Sequence, residues 1–305
     1  MKPFRLMFLP LSISLVVGCS DVGVSELANY EQTDTTETLV PPSTEVQSSD
    51  VMLLSAFFGA DNAFPQFADR FVCKGAAGSD GMPVVFSHEV DTATLQAGDF
   101  QIKRADGSEG SLVCVTPAPA ADTGEVRTIL LIGEFGSPEN QPIQVEIVGN
   151  LLSVDGSMNF RGNNVSVTPL EEGPALVYAE IVPESEWELG KPRATGIRRF
   201  GAPGDGCPEG TQQVVRVVWA GGVTKPGGDE IDDAERIAYK VFVTDSNEEP
   251  TAIAPFAIAD LADRDNNHEL CLDTTAKPTR VDFPAGLMTD PIEDLNPATS
   301  ISVTH

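Results

Sequence analysis

Positive charge is scarce in this sequence. Nineteen Lys and Arg stand against 46 Asp and Glu, for a formal net charge of −27, and no basic cluster is larger than Arg198-Arg199. A nucleic-acid partner is therefore not expected, because phosphate contacts are made by Lys and Arg. An anionic lipid surface would repel the chain as well. Cations, cationic partners and neutral glycans stay compatible with this charge, and acidity by itself also serves solubility.

Other absences narrow the chemistry. The chain has three histidines, His88, His268 and His305, and contains neither a Gly-x-Ser-x-Gly elbow nor a phosphate-binding Gly-rich loop. Nothing local therefore supports nucleophilic catalysis. Paired carboxylates leave no trace in a chain this acidic, and the expectation is a non-enzymatic protein. Past the N-terminus no apolar run approaches the roughly 20 residues that span a bilayer. Tryptophan and tyrosine number two and three. Trp219 and Tyr239 sit in apolar strand-like runs and read as core, whereas Trp187, flanked by Glu184, Glu186 and Glu188, reads as more exposed.

What is present begins with residues 1–18. Lys2 and Arg5 precede an apolar stretch from Leu6 to Val17 that is too short to cross a membrane and fits a secretory signal. It ends in Leu15-Val16-Val17-Gly18-Cys19, which resembles the lipobox of bacterial lipoproteins, with Val16 where Leu is commoner. The resemblance implies that Cys19 becomes a diacylated N-terminus, and two acyl chains anchor stably where one does not. Ser20 follows in place of the Asp that favours inner-membrane retention in enteric bacteria, so the expected address is the outer membrane, on its periplasmic or surface face. Residues 19–50 then form an acidic, Ser/Thr-rich linker that has no Lys or Arg and carries Pro41-Pro42. Such a composition is expected to stay disordered, with a reach of roughly 30 Å.

With Cys19 lipidated, four cysteines remain: Cys73, Cys114, Cys207 and Cys271. No Cys-x-x-Cys spacing suggests a thiolate metal site, and an even number in an oxidising compartment points to two disulfides. Of three connectivities, Cys73–Cys114 with Cys207–Cys271 is favoured, because each pair then stays within one expected domain. Loops of about 40 and 65 residues would give about 4 kcal/mol each on the chain-entropy model.

Short β-rich runs separated by Gly and Pro make up the rest, and the expected fold is mainly β: two Ig-like or related antiparallel β-sandwich domains, over 51–168 and 169–305. Expected strands in the first are Pro83–Ser87, Phe100–Lys103, Leu112–Val115, Arg127–Ile132 and Gln144–Val148, after an apolar strand or helix starting at Val51. In the second they are Leu176–Val182, Val214–Trp219, Arg236–Thr244, Glu269–Leu272, Arg280–Phe283 and Ser300–Thr304, with residues 165–200 largely a transition. The stretch Val84-Val85-Phe86-Ser87-His88-Glu89-Val90-Asp91-Thr92-Ala93-Thr94-Leu95, then Gly98-Asp99-Phe100, resembles a bacterial Ig-like domain of the SbsA-like type. The resemblance implies a structural or adhesive sandwich and brings no catalytic residues.

One acidic segment stands out. Asp263, Asp265, Asn267 and Glu269 recur at every second position around a polar loop holding His268. In a curved loop that spacing can turn oxygens toward a calcium ion, with an extracellular-type Kd on the order of 10⁻⁴–10⁻³ M. His268 in place of the turn glycine breaks the EF-hand pattern, and a solvated turn between strands fits the same residues. The functional expectation is an envelope lipoprotein acting as an interaction or structural module, with an envelope protein or glycan as partner. A glycan-binding or glycan-active surface protein, and an accessory subunit of a secretion or surface assembly, are the alternatives.

Overall fold

The computed structural model describes residues 52–192, 204–245, 249–259, 261 and 265–305. Residues 1–18, read above as a signal peptide, Cys19, residues 20–50, read as a linker, and Asp263 lie outside the described residues. What is described is mainly β, built from antiparallel sheets around two main hydrophobic clusters.

The first cluster is enclosed by β1 (Leu53–Phe57), β2 (Asp80–Phe86), β3 (Phe100–Arg104), β4 (Ser111–Thr116), β5 (Thr128–Glu134), β6 (Pro142–Ile147) and β7 (Asn164–Thr168). They pair in the order β3-β6-β7-β1-β2-β5-β4. β7 joins the two parts of this order, β3-β6 and β1-β2-β5-β4. Its Asn164, Val165 and Ser166 face β6 antiparallel, and its Val167 and Thr168 run parallel to Ala56 and Phe57 of β1. The sheet consequently folds over itself. Ile102 and Val145 from one end meet Val84, Ile129 and Leu131 from the other in a single core, which a flat sheet could not arrange. A register shift between Leu53 and Ser55 lets Leu53, Ala56 and Phe58 all enter that core, while Phe57, also buried, lies against Gly221 of the second half. A four-residue helix, α1 (Ala68–Phe71), precedes Cys73, which is joined to Cys114 on β4.

The second cluster lies between two four-stranded sheets. One has the order β11 (Thr251–Ile253), β10 (Lys240–Thr244), β14 (Lys277–Phe283), β15 (Thr299–Ser302). The other has the order β12 (Ala257–Ala259), β13 (Asn267–Leu272), β9 (Gln213–Trp219), β8 (Leu176–Ile181). Trp219 meets Phe283 edge-on at 5.3 Å and Tyr239 packs on the same ring at 4.5 Å, so Trp219 and Tyr239 are core residues as expected. Cys207 is bonded to Cys271 on β13.

Three expectations change. The run Arg236–Thr244 is not one strand: helix α2 (Asp233–Ala238) occupies its start and β10 its end. The reason is local, since the Asp232 carboxylate accepts from the N–H of Ala234 and the Glu235 carboxylate accepts from the N–H of Asp232, a reciprocal cap. β7 lies at the head of the stretch read as transition, with Val165 and Val167 alternating inward. Trp187 is buried rather than exposed, because its indole N–H donates to the carbonyl of Val182 at 2.8 Å in a small cluster around the Cys207–Cys271 bond.

Candidate functional site

β9 and β13 explain where the two halves meet. From Val214 to Trp219 and from Asn267 to Leu272 every residue is buried. Continuous burial without alternation means that both faces of these strands are covered. Val215, Val217, Leu270 and Leu272 face the second core. Arg216, Asn267 and Glu269 belong to the other face, which the first half covers.

A rung of charge crosses that face. Arg216 stands directly opposite Glu180 on β8 and Glu269 on β13. It donates to Glu269 Oε1 at 2.9 Å, to Glu180 Oε1 at 3.4 Å and to the carbonyl of Thr123, in the first half, at 3.0 Å. Arg127, also from the first half, donates to Glu180 Oε2 at 2.9 Å and to the carbonyl of Ser87 at 2.9 Å, and its guanidinium lies 4.1 Å over the ring of Tyr178. Burial raises the Glu269 pKa and the Arg216 charge opposes that rise. Gly124 makes the approach possible: at φ +84° its Cβ would stand 2.1 Å from Arg216 Nη1.

Beside the rung a cleft of 220 Å³ opens between the halves. Its walls are apolar, with Phe57, Phe64, Pro65, Pro117 and Pro119 among them, and Thr128, Asp265 and Asn266 supply the polar part. Asn266 ties the walls together, donating from its side-chain amide to Thr128 Oγ1 at 3.1 Å and to the carbonyl of Trp219 at 2.6 Å. The ring of Phe64 lies against Gly81, where a Cβ would come within 2.7 Å of it.

The segment singled out for calcium therefore lies elsewhere than a solvent loop. Asp265 and Asn266 are buried at the junction, and Asn267, His268 and Glu269 begin strand β13. The Asp265 carboxylate accepts from the backbone N–H of Asn267 at 2.7 Å and from its side-chain amide at 2.9 Å. Glu269 faces Arg216. His268, read as part of a polar loop, is buried in the second core with Nδ1 2.8 Å from the Tyr239 hydroxyl. Among the described residues no group of three or more His, Cys, Asp or Glu side chains is arranged as a metal site. Sequence reasoning missed Arg127, Glu180 and Arg216. Only Arg216, a lone charge inside the apolar run Val214–Trp219, carried a signal, since a charge there needs a buried partner.

No helix among the described residues is long and apolar enough to cross a membrane. No protein-family model and no curated protein matches the chain. Among solved structures it is similar to the N-terminal part of the bacterial S-layer protein SbsC, at 14% identity and a TM-score of 0.27, over 84% of this chain and 44% of that one. It is also similar to domains 1-6 of surface layer protein SbsC, at 11% identity and a TM-score of 0.28, over 84% of this chain and 26% of that one. The chain thus spans less than half the length of either, and the fold and the junction described above stand on their own geometry.

Proposed function

We propose that this chain is a lipid-anchored envelope protein that binds a partner protein through the cleft between its two β cores. The observation that carries the reading is the cleft itself, whose apolar walls are held at fixed separation. Arg127, Glu180 and Arg216 bond the two halves on one side, and Asn266 bonds them within the wall. Walls that cannot move apart favour recognition by preformed shape. Small-molecule sites run to roughly 300–1,000 Å³, and this cleft, at 220 Å³, suits one or two apolar side chains of a partner segment. The rim is accessible at Ala63, Pro65 and Pro291.

The lipobox-like Cys19 supplies the anchor in this reading, the acidic stretch 20–50 the spacer, and an SbsA-like sandwich in the first half fits a structural role. Two experiments test it. Cys19→Ala is expected to move the protein from the membrane fraction to the soluble fraction, and membrane retention of that variant would remove the anchor. A photo-crosslinker at Ala63 is expected to give a discrete adduct in intact cells, one that a second change, Pro291→Arg, abolishes. Adducts that are absent, or equally abundant with the crosslinker at the distant exposed Ser302, would defeat the cleft as the binding surface.

A further inference from the structure

The apolar cleft continues into a second cavity of opposite chemistry. The two share Gly222 and Pro291, and the second is a trough of 560 Å³ where the turn after Val223 meets the turn after Met288. Reciprocal backbone hydrogen bonds between Thr224 and Thr289, at 3.1 and 2.8 Å, hold these turns together. Asp229, Glu230, Asp290 and Glu293 line the trough, and Asp229 and Glu293 are exposed.

Acidic residues alone prove little in a chain that has 46 of them among 305. Here they are four of the eleven that line the trough, and no Lys, Arg or His lines either cavity. The cations close by in sequence are engaged elsewhere: Lys225 bonds Asp232 at 2.7 Å, and Arg127 bonds Glu180 at 2.9 Å. The cleft carries negative charge on its other side as well. Asp61 stands in the turn between the cleft residues Ala60 and Ala63. Its pKa is raised by burial and then by the like charge of Asp80, with Glu139 adding to it.

We infer that the partner segment at this cleft is cationic: an apolar side chain fills the cleft, and a Lys or Arg of the same segment lies in the trough beside Asp229 and Glu293. The inference rests on the cleft being the binding surface and specifies what binds there. Because the cavities meet at Gly222 and Pro291, an extended segment rising about 3.3 Å per residue reaches both within about four residues. Burial of the anchor supplies affinity, while the carboxylates steer the approach of a basic segment and reject an acidic one. A second copy of this chain, at −27, would be repelled, so the occupant is a different, basic protein.

The photo-crosslinker at Ala63 in intact cells is the probe. Asp229→Asn with Glu293→Gln removes two exposed charges from the trough, leaves the lining of the cleft as it is, and is expected to reduce the adduct about fivefold. Neutralising two exposed carboxylates outside both cavities, Glu184→Gln with Glu209→Gln, is expected to leave the adduct unchanged. Peptide mapping of the adduct is expected to place a Lys or Arg within about four residues of the crosslinked position. Three results would overturn the cationic partner and leave the cleft standing, each with an adduct that Pro291→Arg abolishes: no reduction in Asp229→Asn with Glu293→Gln, an equal reduction in the control pair, or a mapped segment without Lys or Arg. Absence of any adduct sensitive to Pro291→Arg would remove the cleft as the binding surface, and this inference with it.

Discussion

Tyr239 and His268 share a hydrogen bond of 2.8 Å inside the second core. The indole of Trp219 has only an N–H to offer and donates it to the Tyr239 oxygen at 3.0 Å. A phenol proton given to Nδ1 of a neutral His268, whose own proton is then on Nε2, uses the donor and acceptor of both groups.

That arrangement makes His268 a source of acid sensitivity. Burial pushes its pKa down to about 3, against about 6.5 in an unfolded chain. Between these values the unfolded state binds a proton that the folded state refuses, so stability rises with pH there and falls on acidification. From pH 7 to pH 4 the loss is on the order of 3 kcal/mol. Urea titrations at the two pH values are expected to show it, and His268→Asn, though less stable at pH 7, is expected to show a smaller difference between them. An equal difference in both proteins would take the effect away from His268.

Arg216 is expected to matter for stability out of proportion to its number of neighbours. Arg216→Met leaves the buried Glu269 without its partner, at a cost of about 3–5 kcal/mol, whereas Glu180 keeps Arg127. Replacing Glu269 by Leu in the same chain is expected to recover most of that loss, because the Met–Leu pair has no charge to desolvate. The ratio of the two urea midpoints checks this, and a double variant no better than the single one would mean that shape rather than charge holds the rung.

Gly124 and Arg216 are expected to be coupled. Gly124→Ala meets both a φ of +84° and a guanidinium 2.1 Å from the new carbon. A cost of about 2 kcal/mol follows. In the Arg216→Met background only the backbone strain remains, so the double-mutant cycle is expected to close with a coupling of about 1 kcal/mol. Strict additivity would show that Arg216 yields freely to the methyl group.

The two disulfides close separations of 41 and 64 residues. Loop-closure entropy grows only with the logarithm of length, so removing either pair by Cys→Ala is expected to cost about 4 kcal/mol, within about 0.5 kcal/mol of the other. Cys207–Cys271 is buried in the small cluster with Val182 and Trp187. Any excess loss in that pair beyond the entropic figure, read from denaturant midpoints, measures its packing.

Much of the β framework was legible because alternation and turn residues act over a few positions. Val84 to Phe86, Leu112 to Val115 and Ile129 to Ile132 declare strands by themselves, and Trp219 declares a core. The cap Asp232-x-x-Glu235 went unread, and it overrides the strand-like run that follows. The acidic segment misled for a physical reason. Asp265 to Glu269 is polar in sequence, and polarity reads as solvent unless the covering surface is known. Here that surface is the first half of the chain, more than 130 positions away at Thr128.

The sequence by itself determined the mainly β class of the fold and the acidic balance of charge, since both depend on composition or on short-range pattern, and it favoured the disulfide pairing that the structure shows. Only the tertiary structure decided that Arg127 and Arg216 reach Glu180 from opposite halves, that a cleft forms beside them, and that a trough lined by Asp229 and Glu293 continues it. Those outcomes depend on which surfaces meet, and distant surfaces meet through the summed packing of the whole chain rather than through any segment of it.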